Sequence, residues 1–267
     1  MIEPGDKVMV CVSGGKDSSI LLMLLKDIQA RAPFHFEFEA AILDQKQPGF
    51  QIEAFSKWVK ETVNVKLHII EKDTYSVVKE KTPEGGIYCA LCSRMRRAIL
   101  YDFASDHGFQ KIALGHHQDD LIETVLMNMF YTGNISSMPP KLKSDDGRNT
   151  LIRPLCYVEE SDLIAIQNEI RFPVIPCNLC GSQEGLKRKK IKKLLNDLKV
   201  DIPMIKQSLL ASLGNVKPSH LLDQDLWNFH WQQGGNATEH AADDLTAAIP
   251  VSKTKPKDLK QQKPSLQ

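Results

Sequence analysis

The sequence predicts an α/β fold: a parallel sheet with helices on both faces, followed by a helical C-terminal region. Short apolar runs alternate with stretches of helical periodicity, which is the pattern of strands joined by crossover helices. The 267 residues, 42% of them hydrophobic, are enough for one large core. Three chemically rich segments fall at predicted strand ends, where open α/β sheets bind ligands.

Lys7 to Val12 forms the first predicted strand, and Ser13-Gly14-Gly15-Lys16-Asp17-Ser18 follows at once. Beyond it, Ile20, Leu21, Leu24, Leu25 and Ile28 recur at helical spacing. Phe36 to Leu43 predicts a second strand ending at Asp44, Phe55 to Val63 a helix, and Val65 to Ile70 a third strand. Met95 to His107 predicts a helix, and Lys111 to Leu114 a fourth strand ending in Gly115-His116-His117. Leu121, Ile122, Val125, Leu126 and Met129 mark the next amphipathic helix. Leu151 to Leu155 predicts a fifth strand, Ser161 to Ile170 a helix, and Lys187 to Leu213 two helices parted near Pro203. The expected division is 1–175 as the sheet domain, 176–231 as a helical region with a cysteine pair, and 232–267 as a disordered tail. That tail is polar and then rich in Lys, Pro and Gln, too poor in apolar surface to offset ordering entropy.

Thirty-four basic and 33 acidic residues leave a net charge of +1, so a polyanion-binding surface must come from local clustering. No apolar run is long enough to span a membrane, and the N-terminus lacks a signal-peptide layout. The expectation is a cytoplasmic protein with no membrane association, whose thiols stay reduced.

Between a strand and a helix N-terminus, a glycine loop points several backbone N–H groups at one place, and the helix dipole adds positive potential. Gly14 and Gly15 allow close approach of an anion, Lys16 can offset phosphate charge, and Ser13 and Ser18 can donate hydrogen bonds. The spacing is neither that of a Walker A loop nor that of the dinucleotide fingerprint. Gly115-His116-His117-Gln118-Asp119-Asp120 opens a helix at another strand end. Its carboxylates can cap that helix or serve as hard oxygen ligands for Mg²⁺. Asp44 can contact a ribose or stabilise a turn.

Of six cysteines, Cys11 and Cys156 lie in or beside strands and suit packing. Cys89-x-x-Cys92 and Cys177-x-x-Cys180 form two spaced pairs. By spacing alone these fit a Cys₄ zinc site, an iron–sulfur cluster or a redox dithiol. Arg94, Arg96 and Arg97 follow the first pair, and the run Lys187 to Lys193 follows the second. Such runs are either solvated faces or contacts for a nucleic-acid backbone.

Ser13 to Ser18 resembles the PP-loop of the ATP pyrophosphatases, with its S-G-G-x-D-S signature. That resemblance implies a Rossmann-like sheet of adenine nucleotide α-hydrolase type, and cleavage of ATP between its α and β phosphates. Gly115 to Asp120 resembles the G-H-x-x-D-D segment of RNA-modifying members, which points to Asp119 in the nucleotide or metal site. Leu43 to Phe50, Cys89 to Arg94, Met138 to Leu142 and Pro176 to Ser182 resemble the TtcA family of tRNA 2-thiocytidine enzymes, in order and spacing. The likeness runs from about Ile2 to Phe229.

The family resemblance implies ATP, Mg²⁺ and a [4Fe-4S] cluster held by three cysteines: Cys89, Cys92 and Cys180, with Cys177 as runner-up. It implies Lys16, Asp17 and Asp119 as catalytic residues. Ser13, Gly14, Gly15, Lys16, Asp17, Ser18, Asp44 and His116 are then the nucleotide contacts. The implied substrate is tRNA, thiolated at cytidine 32, with a cysteine desulfurase as sulfur donor and a homodimer as an admissible assembly. Alternatives are a thiouridine-forming relative, a lysidine-type ligase, and a zinc-stabilised RNA-binding module without catalysis.

Overall fold

A computed structural model of the chain describes residues 1–47, 50, 52–82, 88–175 and 183–228, without the side chains of residues 88–90 and 183–185. Residues 232–267, Cys177 and Cys180, and the side chain of Cys89 lie outside the described set. The chain divides into two units, Met1–Val216 and Lys217–Gln267. The described part of the second holds one 3₁₀ turn, Pro218–His220.

In the first unit, β1 (Lys7–Val12), β2 (Glu37–Asp44), β3 (Leu67–Glu71), β4 (Lys111–Ala113), β5 (Lys141–Lys143) and β6 (Thr150–Ile152) make one sheet in the order β3-β2-β1-β4-β6-β5. Its first five strands in that order run parallel, with Val8 opposite both Phe38 and Lys111. β5 pairs antiparallel with β6 and was not among the predicted strands. Its three residues, Lys-Leu-Lys, are too short to show alternation, and charge of this kind protects a sheet edge from further pairing.

The order doubles back between β1 and β4, which makes the crevice there the topological switch point. Helices cover both faces, as the near-continuous apolar character of β1 requires. On one side α1 (Lys16–Arg31), α2 (Glu53–Trp58) and α6 (Glu160–Glu169) bury Ile20, Leu22, Leu25, Phe55 and Leu163 with Val8, Val10 and Ile42. On the other, α3 (Thr74–Lys81) and α4 (Tyr88–Asp106) lie together, and Ala104 packs with Met9, Ala41 and Ile112. α3 is an addition to the predicted elements. Its start is fixed by Asp73, whose Oδ1 accepts the Ser76 N–H at 2.9 Å.

α5 (Gln118–Thr132) leaves the switch point and is gripped by α7 (Gln183–Asp201) and α8 (Ile205–Ser212). Ile122, Val125 and Leu126 meet Ile191 and Leu195, whose four-residue spacing makes one stripe along α7. α4 starts seven positions before the expected Met95, so the Cys89-x-x-Cys92 pair occupies its first turns. Its first turns hold the cysteine pair and Arg94 and show no repeating apolar face in the sequence, which is why they escaped prediction.

Candidate active site

The loop between β1 and α1 is built around two glycines. Gly14 has φ +78°, open to glycine and strained for any other L-residue. Its carbonyl accepts the Ile175 N–H at 2.9 Å. Gly15 is the N-cap of α1 and has no side chain to occupy the first-turn amides. Those amides therefore stand ready for an anion. The loop braces itself through its serines: the Ser18 hydroxyl receives the Ser13 N–H at 3.1 Å and donates to the Gly15 carbonyl at 3.0 Å. Gly115, after β4, brings the second motif onto this helix end. A Cβ there would lie 2.9 Å from the Ser18 nitrogen and 3.1 Å from the Asp17 carbonyl carbon.

Over the ends of β1, β4 and β6 lies a cavity of about 640 Å³. This is within the range of about 300–1,000 Å³ usual for small-molecule sites. Ser13, Asp17, Ser18, Gly115, His116 and Asp120 line it from the two motifs. Arg96 and Arg97 of α4, Met138, and Arg153 after β6 line it from the other side. Arg153 is the residue the sequence reading missed. Its only signal there is a charged residue immediately after a buried strand, at Ile152-Arg153-Pro154.

The two adjacent carboxylates part company. Asp120 lines the cavity, accepts the His117 N–H at 3.1 Å and pairs with Arg188 of α7 at 2.7 Å. Asp119, 3% exposed, is not on the cavity wall; it accepts the Glu160 N–H at 2.8 Å and is bonded to Lys206 of α8. Burial alone would raise its pKa, but the Lys206 and Glu160 hydrogen bonds and nearby positive charge carry it below the usual value. Burial pushes the His116 pKa down, with the Arg153 and Arg188 charges, against the pull of Asp120 in the other direction; the net shift favours the neutral imidazole. Among the described residues its Nδ1 has no hydrogen-bond partner.

Lys16 is off the cavity wall, bonded to Asp17 at 2.8 Å and to Glu160 at 3.4 Å. Asp44 is engaged in its own turn, taking the Lys46 N–H at 2.7 Å and the Lys46 ammonium at 3.0 Å. Lys46 has φ +60°, and Asx-type bonding of this kind stabilises such a bend. Cys92 donates to Gln45 Oε1 at 3.2 Å, which sets the first cysteine pair beside the end of β2. Cys11 lines the cavity with a thiol that burial pushes up to about 12, so it stays protonated and unsuited to metal ligation.

Among the described residues no helix is long and apolar enough to cross a membrane. The basic run on α7 is partly structural: Arg188 binds Asp120 and Glu123, and Lys192 binds Glu160. Lys189 and Lys190 are exposed and have no ion pair among the described residues.

A family model described as a PP-loop domain matches residues 3–197. The tRNA-cytidine(32) 2-sulfurtransferase of Bdellovibrio bacteriovorus is 64% identical over 229 residues, 86% of this chain and 88% of that protein. Its namesake from Legionella pneumophila (strain Paris) is 50% identical over 238 residues, 89% of this chain and 84% of that protein. Among solved structures, the U34-tRNA thiolase NcsA from Methanococcus maripaludis, with its [4Fe-4S] cluster, has the same fold. Its TM-score is 0.63 at 20% identity, covering 80% of this chain and 72% of that one. With a braced glycine loop at the switch point, a His-Asp motif packed on it, and this degree of identity, the chain belongs to the PP-loop family and, within it, to the tRNA-cytidine(32) 2-sulfurtransferases.

Proposed function

We propose that the protein activates the C2 oxygen of cytidine 32 in tRNA with ATP and replaces it with sulfur. The observation that carries this reading is the open end of α1. Its first-turn amides have no side-chain cap and border a cavity large enough for a nucleotide and an acceptor. That donor set fits a polyphosphate: loop amides and the serine hydroxyls meet its oxygens, and the helix dipole favours its charge. Lys16, already beside Asp17, lends further positive charge to the same helix end.

The C2 oxygen attacks the α-phosphate, and pyrophosphate leaves. The oxygen then departs with AMP as sulfur enters. Preorganised amides stabilise the phosphoryl charge that develops. Asp17 and Asp120, both on the cavity wall, are the oxygen donors that would hold Mg²⁺. Asp119 has a positioning role, tying the ends of α5, α6 and α8 together through Glu160 and Lys206. Cys89 and Cys92, three residues apart in the first turns of α4, with Cys180 as third ligand, would hold a [4Fe-4S] cluster. When bound, the cluster supplies the sulfur-transfer chemistry, and a cysteine desulfurase is the sulfur source that suits a cytoplasmic enzyme. Asp44 contributes by shaping the turn after β2, and a second copy of the chain is the admissible assembly.

The full-length protein, reconstituted with iron and sulfide under anaerobic conditions, is incubated with unmodified tRNA, Mg²⁺, α-labelled ATP, cysteine and a cysteine desulfurase. AMP, pyrophosphate and 2-thiocytidine in equal amounts are expected. Release of only ADP and orthophosphate would refute the reading.

A further inference from the structure

Arg153 is a buried cation without an anion among the described residues. It is 5% exposed, it lines the cavity, and no carboxylate pairs with it among the described residues. Its Nη1 donates to the Pro139 carbonyl, while its Nε has no partner. An ionised group desolvated in this way is costly unless something else completes it. Burial accordingly pushes its pKa down, although a guanidinium remains charged.

Its place relative to the glycine loop is set by the sheet. β1, β4 and β6 are neighbours, so Ser13, His116 and Arg153 stand in a row over three strand ends. Two strand spacings of about 4.8 Å put Arg153 about 10 Å from the loop. That leaves room for a phosphoryl group and one base between them. Leu100, Tyr101, Met138 and Leu142 supply apolar walls, the surroundings an unstacked base requires.

We infer that Arg153 is the residue that selects cytosine as the acceptor base, by donating through its free Nε edge to the O2 and N3 acceptors. With Nη1 held by Pro139, the remaining edge carries two parallel N–H donors, Nη2 and the buried, unpaired Nε, so that a base must press into the cavity wall to take both. Cytosine offers two adjacent acceptors at O2 and N3. Uracil has an N–H at position 3, which would face a donor and leave it unpaired. A bond from Arg153 to one lone pair of O2 leaves the other free to approach the α-phosphate. This assignment rests on the reading of tRNA cytidine as substrate.

The test uses binding, so that it does not depend on turnover. Anticodon stem-loops differing only in C or U at position 32 are titrated against the full chain, and against Arg153→Gln and Arg153→Lys. The native chain is expected to bind the C form about tenfold or more tightly, the discrimination expected of a bidentate base contact. Both variants are expected to bind the two forms alike and to keep the native affinity for ATP. The lysine variant retains a cation for the Pro139 carbonyl and guards against simple loss of fold. A native chain that does not discriminate, or a lysine variant that discriminates like the native chain, would overturn the assignment. Discrimination that depends on Arg153 in a protein that forms no 2-thiocytidine would uphold the pocket and sink the reading of the reaction instead.

Discussion

The Ile175 N–H donates to the Gly14 carbonyl at 2.9 Å, and the Ile175 side chain fills the space that a Cβ on Gly14 would need, 2.6 Å from its Cβ. The phosphate loop is thereby laced to the segment that leads, two residues later, into the second cysteine pair. Gly14→Ala meets two penalties: a left-handed backbone, about 1–2 kcal/mol, and overpacking, about 1–3 kcal/mol. The variant should unfold at lower temperature and release pyrophosphate at least tenfold more slowly. Adding Ile175→Gly should cost less in the Gly14→Ala background than in the native one, because it removes the clashing Cβ, Cγ1 and Cδ1 and leaves the strain. A double-mutant cycle on unfolding measures this, and strict additivity would show that the two sites do not communicate.

Glu123 gives the fold a definite pH signature. Burial pushes its carboxyl from an ordinary 4.5 up to about 7, against the Arg188 charge, which pulls it down. The folded state therefore holds a proton that the unfolded chain has lost between pH 4.5 and about 7. This group lowers stability progressively as pH rises through that window, and has no pH-dependent effect below or above it. Glu123→Gln should remove the slope, with its largest relative gain above pH 7. Urea unfolding at intervals from pH 4 to 8 would show it, and a slope unchanged in the variant would locate the proton elsewhere.

Asp119 should behave in the opposite sense. Asp119 is held below its usual 3.8, so its contribution is fully present above that pH and is lost as pH falls through the lower, folded value. Lys206→Met leaves a 5%-exposed carboxylate without its cation. Breaking a buried pair costs about 3–5 kcal/mol, and the 15% exposure of the Lys206 side chain argues for the low end. Native-state hydrogen exchange should loosen in α8 and at the start of α6, where the Glu160 amide depends on the same carboxylate. Exchange confined to α8 would remove Asp119 as the link between them.

How much of this was legible in the residues differs by element. The β1–loop–α1 unit was plain, because the hydrophobic period changes across a glycine pair set, with Lys16 and two serines, between a strand and a helix N-terminus. The edge strand β5 was not, since three residues carry no period and its pairing depends on β6, which begins seven residues after β5 ends. Adjacent Asp119 and Asp120 are equivalent in a sequence. Only the arrival of α6 and α8 on one side and of the cavity on the other separates the carboxylate bonded to Glu160 and Lys206 from the one on the cavity wall. Arg153 carries no motif at all; what sets it apart is burial without a counter-charge among the described residues, a property of packing. Asp44 likewise reads as a ribose contact or a turn residue, and the structure places its carboxylate on the Lys46 amide.

The same distinction governs the basic run on α7. Seven residues from Lys187 to Lys193 look uniform, yet Ile191 is buried, Arg188 and Lys192 hold acidic partners, and Lys187 lies 4.6 Å over the Tyr131 ring. Lys189 and Lys190 are left facing solvent. If they meet the tRNA backbone, Lys189→Ala with Lys190→Ala should weaken binding equally for cognate and non-cognate tRNA. It should also flatten the plot of log affinity against log salt by about one to two units, since each lost phosphate contact returns its released counterions. Arg188→Ala should instead disturb Asp120, slowing pyrophosphate release while leaving the salt slope nearly as it was. Filter binding at four salt concentrations separates the two classes. A slope that falls as much for Arg188→Ala as for the double lysine variant would mean that the helix contributes charge without regard to position, and that the ion pairs seen in the folded chain do not survive RNA binding.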